Sequence, residues 1–340
     1  MNSAMRLALI TAAPYESVTG ASFYHRRILA AWNDMGGASE VIALDGKARP
    51  SLVDRLEGRS VLVEGAVFEL AADAIPALQA RGAAALIHHP TALEPGTPEA
   101  RRQALKTLEC ELLPGFRRVI AASAPISDRL VGEFGVSPDA VRVVVPGTDK
   151  APRRTIEASR PDGSPCGILS LGTLTYRKGH DVLLRALAGL FDLDWHLTLA
   201  GESRDPDYVD SLSALIRGYG IAGRVTLLGP LTGEALEEAW SKAEIFALAT
   251  RFEGYGMVIA EALARGLPVA ITDGGAAATL VPAEAGVVAP VDDVEQLGKA
   301  LRRLVFSPQL RAMMGEAAWR QGQSLPGWPD QARALQEALA

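Results

Sequence analysis

Arg251 to Pro268 reads RFEGYGMVIAEALARGLP. Directly before it stands a short apolar run, Ile245 to Ala249, with the length and flanks of a buried strand. Met257 to Arg265 is a run of good helix formers closed by Gly266 and Pro268, so the spacing predicts a strand, a loop and then a helix. At 100° per residue Ile259 and Leu263 share one face, and Ala260, Glu261 and Ala264 lie on roughly the opposite one. Glu261 is therefore expected beside small residues, where a ligand approaches. Glu253 stands eight residues earlier, in the loop at the mouth of the helix. Between them Gly254 and Gly256 flank Tyr255, and with no Cβ they let backbone amides face outward. Strand, glycine loop and helix N-terminus make an anion cradle, because unpaired N–H groups and the positive end of the helix dipole point at one spot. Carboxylates gain nothing from phosphate, so one Glu is read against a sugar hydroxyl and the other against a ribose.

Two other readings fit the same residues. In the plainer one, Glu253 caps the helix and Glu261 is a surface acid. In the other, Gly254-x-Gly256, followed 19 positions later by Asp273, is a dinucleotide fingerprint, although its third position holds Ile259 where Gly or Ala is wanted.

The segment Glu253 to Glu261 resembles the E-x(7)-E signature of the family-four retaining glycosyltransferases, and ATRFEGYGMVIAEALARGLPVAITDGG is similar to that family's strand, loop, helix and following strand. The resemblance implies an α/β GT-B fold, two Rossmann-like doubly wound domains facing a central cleft. It also implies Glu253 against donor-sugar hydroxyls, the amides of Gly254, Tyr255, Gly256 and Met257 near sugar and diphosphate, and Glu261 on the nucleotide ribose.

With 340 residues, 48% of them hydrophobic and only 22% charged, the chain is globular and long enough for two cores. Residues 1–150 carry 16 Lys and Arg against 17 Asp and Glu, leaving 18 against 23 for the remainder, so neither half is basic and no nucleic-acid partner is expected. Cys110 and Cys166 are too few and too far apart for a disulfide framework or a metal motif, which fits a reducing compartment. No run of about 18 apolar residues occurs, and MNSAMRLALITAAPYES lacks the flanks of a secretory signal. The expectation is a soluble, cytoplasmic protein.

In the first half, Arg6 to Ala13 reads as a strand, followed by a loop and a helix over about Ser22 to Met35. VTGAS places Gly20 at that helix start, which suits a ligand near the backbone or a plain tight turn. The family usually has a Gly-Gly pair here facing the donor phosphates; Thr19 takes its first position and only Gly20 carries over. Apolar runs at Glu40 to Leu44, Ser60 to Val63 and Ala83 to Ile87 alternate with helical segments, the rhythm of a doubly wound parallel sheet. Ligands in such sheets gather at the carboxyl ends of strands. His88 and His89 stand at such an end, and since neighbours in an extended chain point to opposite sides, one of them at most serves a given ligand. The resemblance implies a His here that bonds the donor sugar, with His88 the better match and His89 the second. No His or Cys cluster is visible in the sequence, so no metal is expected. The helix from Pro98 to Leu113 mixes Arg101, Arg102 and Lys106 with Glu99, Glu109 and Glu111, which reads as a solvated face and only weakly as a membrane-surface one. Strands at Arg118 to Ala122 and Val141 to Val145 follow, and VVPGTD resembles the family's end of the first domain.

The domain plan is 1–150 for an acceptor-side domain, 151–165 for a linker rich in Pro, Arg and Ser, and 166–322 for a nucleotide-sugar domain. Residues 323–340 complete it as a Trp-marked helix that, by the resemblance, crosses back to the first domain. A second series of strands is expected at Gly167 to Leu171, Trp195 to Ala200, Val225 to Leu228, Ile245 to Ala249 and Val269 to Thr272. After the first comes GTLTYRKGHDVLL, with Arg177 and Lys178 at the entrance to a helix over Asp181 to Leu190. Cations there oppose the helix dipole unless an anion binds as well, and the plainer reading is two solvated cations. The resemblance matches Lys178 to the family's phosphate-binding Lys. The Arg usual five positions earlier is Thr173 here, with Arg177 the candidate substitute. Gly201 and Glu202, then Gly229 to Leu231, resemble strand ends near the nucleotide, the latter beside the base. Asp192-Leu-Asp194 mimics a metal-binding D-x-D but suits a polar turn before a strand. The Glu usual after Asp273, Gly274 and Gly275 is absent.

Together these readings predict a retaining hexosyltransferase. Its donor would be a UDP- or GDP-linked sugar, its acceptor a small molecule, glycan or glycolipid, with no further cofactor. The alternatives are a nicotinamide-dependent oxidoreductase built on Gly254, Gly256 and Asp273, and a sensor that binds nucleotide sugars without turnover.

Overall fold

A computed structural model describes residues 6–48, 52–152 and 163–340. Most of the expected linker lies outside these residues. The chain forms two compact units, Met1–Gly147 with Pro326–Ala340, and Thr148–Leu325.

The first unit runs β1 (Arg6–Ala12), α1 (Gly20–Asp34), β2 (Ala38–Leu44), β3 (Ser60–Glu64), α2 (Phe68–Ala71), α3 (Ile75–Ala80), β4 (Ala84–Ile87), α4 (Glu99–Leu112), β5 (Arg118–Ala121), α5 (Ala124–Phe134) and β6 (Val141–Val143). Its strands form one parallel sheet in the order β2-β1-β3-β4-β5-β6, in a register that sets Leu9 beside Val41 on one side and Leu62 on the other. The order reverses between β1 and β3, and ligands of doubly wound sheets bind at such a reversal, outside the carboxyl ends of the strands.

The second unit runs β7 (Cys166–Leu171), α6 (His180–Ala188), β8 (Trp195–Ala200), α7 (Pro206–Gly218), β9 (Val225–Leu228), α8 (Gly233–Lys242), β10 (Ile245–Leu248), α9 (Met257–Ala264), β11 (Val269–Thr272), β12 (Gly286–Ala289), α10 (Val294–Phe306) and α11 (Pro308–Ser324). The parallel order is β12-β11-β10-β7-β8-β9, with its reversal between β7 and β10. A last helix, α12 (Trp328–Leu339), belongs to the first unit and packs on α1, with Trp328 edge-on to Phe23 and Tyr24.

The strands are short apolar runs because both faces of each sheet are covered: every residue of β4, β10 and β11 is buried. Helix starts follow local chemistry. The hydroxyls of Thr19, Ser123 and Ser307 and the carboxylates of Asp205 and Asp293 each accept an amide of the first turn. Trp32, Tyr24, Phe68 and Phe134 fill the first core. Trp195, Leu183, Leu197 and Leu301 anchor the second.

Two sequence expectations need correction. Strand β12 was not read, because its four residues begin with a glycine and carry no alternation. Helix α9 is not two-faced: Ala260 and Ala264 are as buried as Ile259 and Leu263. A Cβ at Gly322 of α11 would come within 2.3 Å of the Ala264 Cα, so Ala264 serves close helix packing rather than ligand approach. Glu261 lies with Met257 and Val258 on the half-buried side.

Candidate functional site

The loops after β7 and β10 meet at the sheet reversal of the second unit, and they bring Lys178 and Glu253 together across 75 residues of sequence. Lys178 Nζ donates to Glu253 Oε1 at 2.6 Å, Thr250 Oγ1 donates to the same oxygen at 3.0 Å, and Arg177 Nη1 stands 3.5 Å from it. Arg177 also donates to the Phe252 carbonyl at 2.8 Å, which ties the first loop to the second. Glu253 is 6% exposed and Lys178 8%. Burial pushes the Glu253 carboxyl up, but the Lys178 and Arg177 charges and the hydrogen bonds from Lys178 and Thr250 outweigh it, so its pKa lies below the ordinary carboxylate value.

Backbone geometry fixes this pair. Gly179, at φ +62, joins Lys178 to α6, and a Cβ there would sit 1.8 Å from the Ala249 carbonyl oxygen. Only a residue without a side chain lets the two loops approach so closely. On the far side, the Glu253 N–H donates to the Gly274 carbonyl at 3.1 Å and its carbonyl accepts from Ala276 at 2.8 Å. The Asp273-Gly274-Gly275 loop thus clamps the Glu253 backbone, a role the sequence did not reveal.

Gly254, Tyr255 and Gly256 are buried, and Gly256 caps α9 at φ +105. Helix geometry leaves the amides of Met257 and Val258, the first two residues of α9, without an intrahelical acceptor. Gly201 and Leu231 follow β8 and β9; Gly229 is exposed, with open space where a Cβ would stand.

A second buried cluster braces the first. Arg251 grips Asp181 with two hydrogen bonds, of 2.9 and 3.0 Å, and the Tyr208 hydroxyl donates to the same carboxylate at 2.9 Å. Burial raises the Asp181 carboxyl, but the Arg251 hydrogen bond and charge and the Tyr208 hydroxyl bring it below its usual range. Sequence reasoning missed it, since Asp181 reads as an ordinary first-turn acid.

In the first unit Gly20 is the exposed first residue of α1, with Thr19 as its cap. His88 and His89 take different partners: His88 Nε2 lies 3.1 Å from His25 Nε2, and His89 Nε2 lies 3.0 Å from Glu94 Oε2. Glu64, the last residue of β3, joins the former pair, so the fold assembles two imidazoles and a carboxylate from three distant segments. The absence of a His cluster in the sequence therefore does not carry over to the structure. The basic face of α4 is tied up in ion pairs, Arg101 with Glu69 and Arg102 with Glu99, while Lys106 stands over Phe134. Asp192 accepts two hydrogen bonds of 2.7 Å from Arg302, the structural use expected of the D-x-D mimic. Among the described residues no helix is long and apolar enough to cross a membrane.

Two doubly wound parallel units define the class of protein, an α/β chain of GT-B fold, which it shares with solved glycosyltransferases. Sucrose-phosphate synthase from Thermosynechococcus elongatus matches with a TM-score of 0.81 at 21% identity, covering 98% of both chains. Anabaena HepE, solved with UDP and glucose, matches at 0.80 and 18% identity, covering 98% of this chain and 99% of its own.

Residues 153–321 match the family described as Glycosyl transferases group 1, so the second unit carries a domain of that kind. The chain is similar to D-inositol 3-phosphate glycosyltransferases. It is 30% identical to that of Corynebacterium diphtheriae over 245 residues, which cover 68% of this chain and 56% of the relative. Against that of Rhodococcus opacus it is 28% identical over 295 residues, covering 81% and 65%. The chain thus spans between about half and two thirds of the length of these relatives.

Proposed function

We propose that this protein is a family-four retaining glycosyltransferase that moves a hexose from a UDP-linked donor to a polyol phosphate or glycan acceptor in the cytoplasm. The observation that carries the reading is the buried Glu253 carboxylate gripped by Lys178 at the sheet reversal, with the α9 N-terminus directly after it. Glycosyltransferases with UDP or UDP-glucose among the similar structures support the donor class, and the names of the curated relatives make an inositol phosphate the first acceptor to try.

Glu253 is ionised at neutral pH and so accepts hydrogen bonds from donor-sugar hydroxyls; Glu261, at the end of the E-x(7)-E spacing, takes the ribose. The leaving diphosphate gains charge as the glycosidic bond breaks. Lys178, Arg177 and the amides of Gly254 to Met257 stabilise that charge in a site that needs no reorganisation at the moment of reaction. Attack comes from the face the diphosphate leaves, and the leaving phosphate takes the acceptor proton. Gly201, Gly229 and Leu231 border the nucleotide, Gly20 the phosphates, and His88 or His89 the sugar. The first unit supplies the acceptor side and the second the donor side, with the Pro326–Ala340 segment completing the first. No further cofactor enters this scheme. An oxidoreductase built on Gly254, Gly256 and Asp273 is not favoured: the glycines follow β10 rather than the first strand of the unit, and the Asp273 carboxylate accepts the Val291 amide at 2.9 Å.

The test is transfer from UDP-glucose, UDP-galactose and UDP-N-acetylglucosamine to inositol phosphate and to glycan acceptors, with the product anomer read by proton NMR. An axial product that Glu253→Gln reduces at least 100-fold is expected. Near-normal turnover by that variant, or an inverted anomer, overturns the reading.

A further inference from the structure

The group formed by His25, Glu64 and His88 lies at the carboxyl ends of β3 and β4, next to the sheet reversal of the first unit, where doubly wound sheets hold ligands. His25 projects from α1, Glu64 closes β3 and His88 follows β4. The two Nε2 atoms are 3.1 Å apart, and Glu64 Oε1 stands 3.7 Å from His25 Nε2 and 3.8 Å from His88 Nε2. A carboxylate oxygen that distant from both rings is hydrogen-bonded to neither. A point equidistant from the three atoms, however, lies about 2.1 Å from each, the length of a Zn–N or Zn–O bond.

We propose that His25 Nε2, His88 Nε2 and Glu64 Oε1 form a three-ligand site for a divalent zinc ion, with the fourth position open on the side of His88. Three observations carry it beyond the distances. The other Glu64 oxygen accepts a hydrogen bond from the Thr11 hydroxyl on β1, the outer support that orients a ligating carboxylate. Glu64 and His25 are both buried, so a bound ion would be held largely out of water by side chains fixed on β3 and α1. His88 alone of the three is partly exposed, so an ion has access and keeps a position for water or another oxygen.

A plain hydrogen bond between the two rings accounts for the 3.1 Å contact, and the Thr11 hydroxyl and the Ala12 amide both donate to the Glu64 carboxylate, so retention of a metal is what separates the two cases. His25 Nδ1 is buried without a partner in either tautomer, so it does not separate the two cases. Two nitrogens and one oxygen suit zinc and other transition ions rather than calcium or magnesium, which take oxygen ligands in larger number. Ligation occupies His88 Nε2 and leaves His89 for any contact with a sugar. The site stands on the first unit alone and does not rest on the transferase reading.

The test uses the full chain without donor or acceptor. After removal of metal with a chelator and dialysis against zinc, one equivalent per chain is expected. His25→Ala and Glu64→Gln should each weaken retention at least 10-fold; the second keeps the side-chain shape and its bond with Thr11, so a structural hydrogen-bond role would leave retention unmoved. Should either variant fail to fold, the unmodified chain loaded with Co2+ decides: intense visible bands of a four-coordinate site with imidazole ligation support the proposal. A six-coordinate spectrum, less than a stoichiometric amount of zinc, or variants that hold zinc as the unmodified chain does, overturns it.

Discussion

Replacing Lys178 with Met removes the cation closest to Glu253 while keeping most of the side-chain volume. Both partners are nearly buried, 8% and 6% exposed, so the change strands a carboxylate away from water. Breaking a buried pair in this way costs roughly 3–5 kcal/mol. The Thr250 hydroxyl at 3.0 Å and Arg177 at 3.5 Å remain, which puts the expected loss at the lower end, about 3 kcal/mol. For a unit of this size, that lowers the melting temperature by about 6–12 °C. Adding Glu253→Gln removes the stranded charge, so the double variant should recover about 2 kcal/mol relative to Lys178→Met, and Glu253→Gln alone completes the double-mutant cycle that gives the coupling.

The pH dependence carries a second sign. In the unmodified protein Glu253 is held below its ordinary value of 4.5; its contribution is present above that pH and is lost as pH falls through the lowered folded-state pKa. In Lys178→Met the burial that raises the pKa loses its strongest opponent. A raised group contributes stability below the unfolded pKa and loses it as pH rises, so acidification from about pH 7 to 5 should stabilise the variant relative to the unmodified chain. Urea titrations at both pH values read this directly. If Glu253→Gln fails to rescue Lys178→Met, and the gap between variant and unmodified protein is the same at both pH values, the pairing does not have the energetic role assigned to it.

Other perturbations test neighbouring parts of the site. Gly179→Ala forces a Cβ to within 1.8 Å of the Ala249 carbonyl oxygen at a positive φ, and should cost more than about 4 kcal/mol; an unchanged urea midpoint would refute the close approach. Asp181→Asn weakens the two-bond contact with Arg251 by about 2 kcal/mol. Because Asp181 is held below its usual value of 3.8, the difference from the unmodified chain should shrink as pH falls through that lowered pKa, as seen by circular dichroism of acid unfolding. UDP at about a hundred times its dissociation constant should add about 2.7 kcal/mol of stability, more than NAD or NADP at the same concentration. Lys178→Met should reduce the UDP shift, whereas Glu253→Gln should keep it; an equal loss in both variants would argue against separate roles in phosphate and sugar binding.

Much of the fold was legible because its signals are local. Trp195 to Ala200, Val225 to Leu228 and Val269 to Thr272 are strands over the ranges that hydrophobic runs predict, and α9 ends one residue short of its expected end. Strand β12 escaped because four residues beginning with a glycine carry too little pattern. Glu253 and the glycine loop were legible as candidates from their setting at a strand end and a helix start, and Lys178 through the family resemblance. What they bond to was not, because Lys178 and Glu253 are 75 residues apart and meet only when β7 and β10 become neighbours.

The sequence by itself determined two alternating α/β series, the strand, glycine loop and helix around Glu253, and a charge balance in which neither half is basic. These rest on periodicity, on glycine and proline punctuation, and on charge counts, all of which act over a few residues or over the chain as a whole. Tertiary structure alone decided that Gly274 and Ala276 clamp the Glu253 backbone, that Arg251 locks onto Asp181, that Ala264 of α9 lies against Gly322 of α11, and that His25, Glu64 and His88 converge. Each depends on the strand order, which is set by burying both faces of each sheet at once, and no single segment of the chain carries that information.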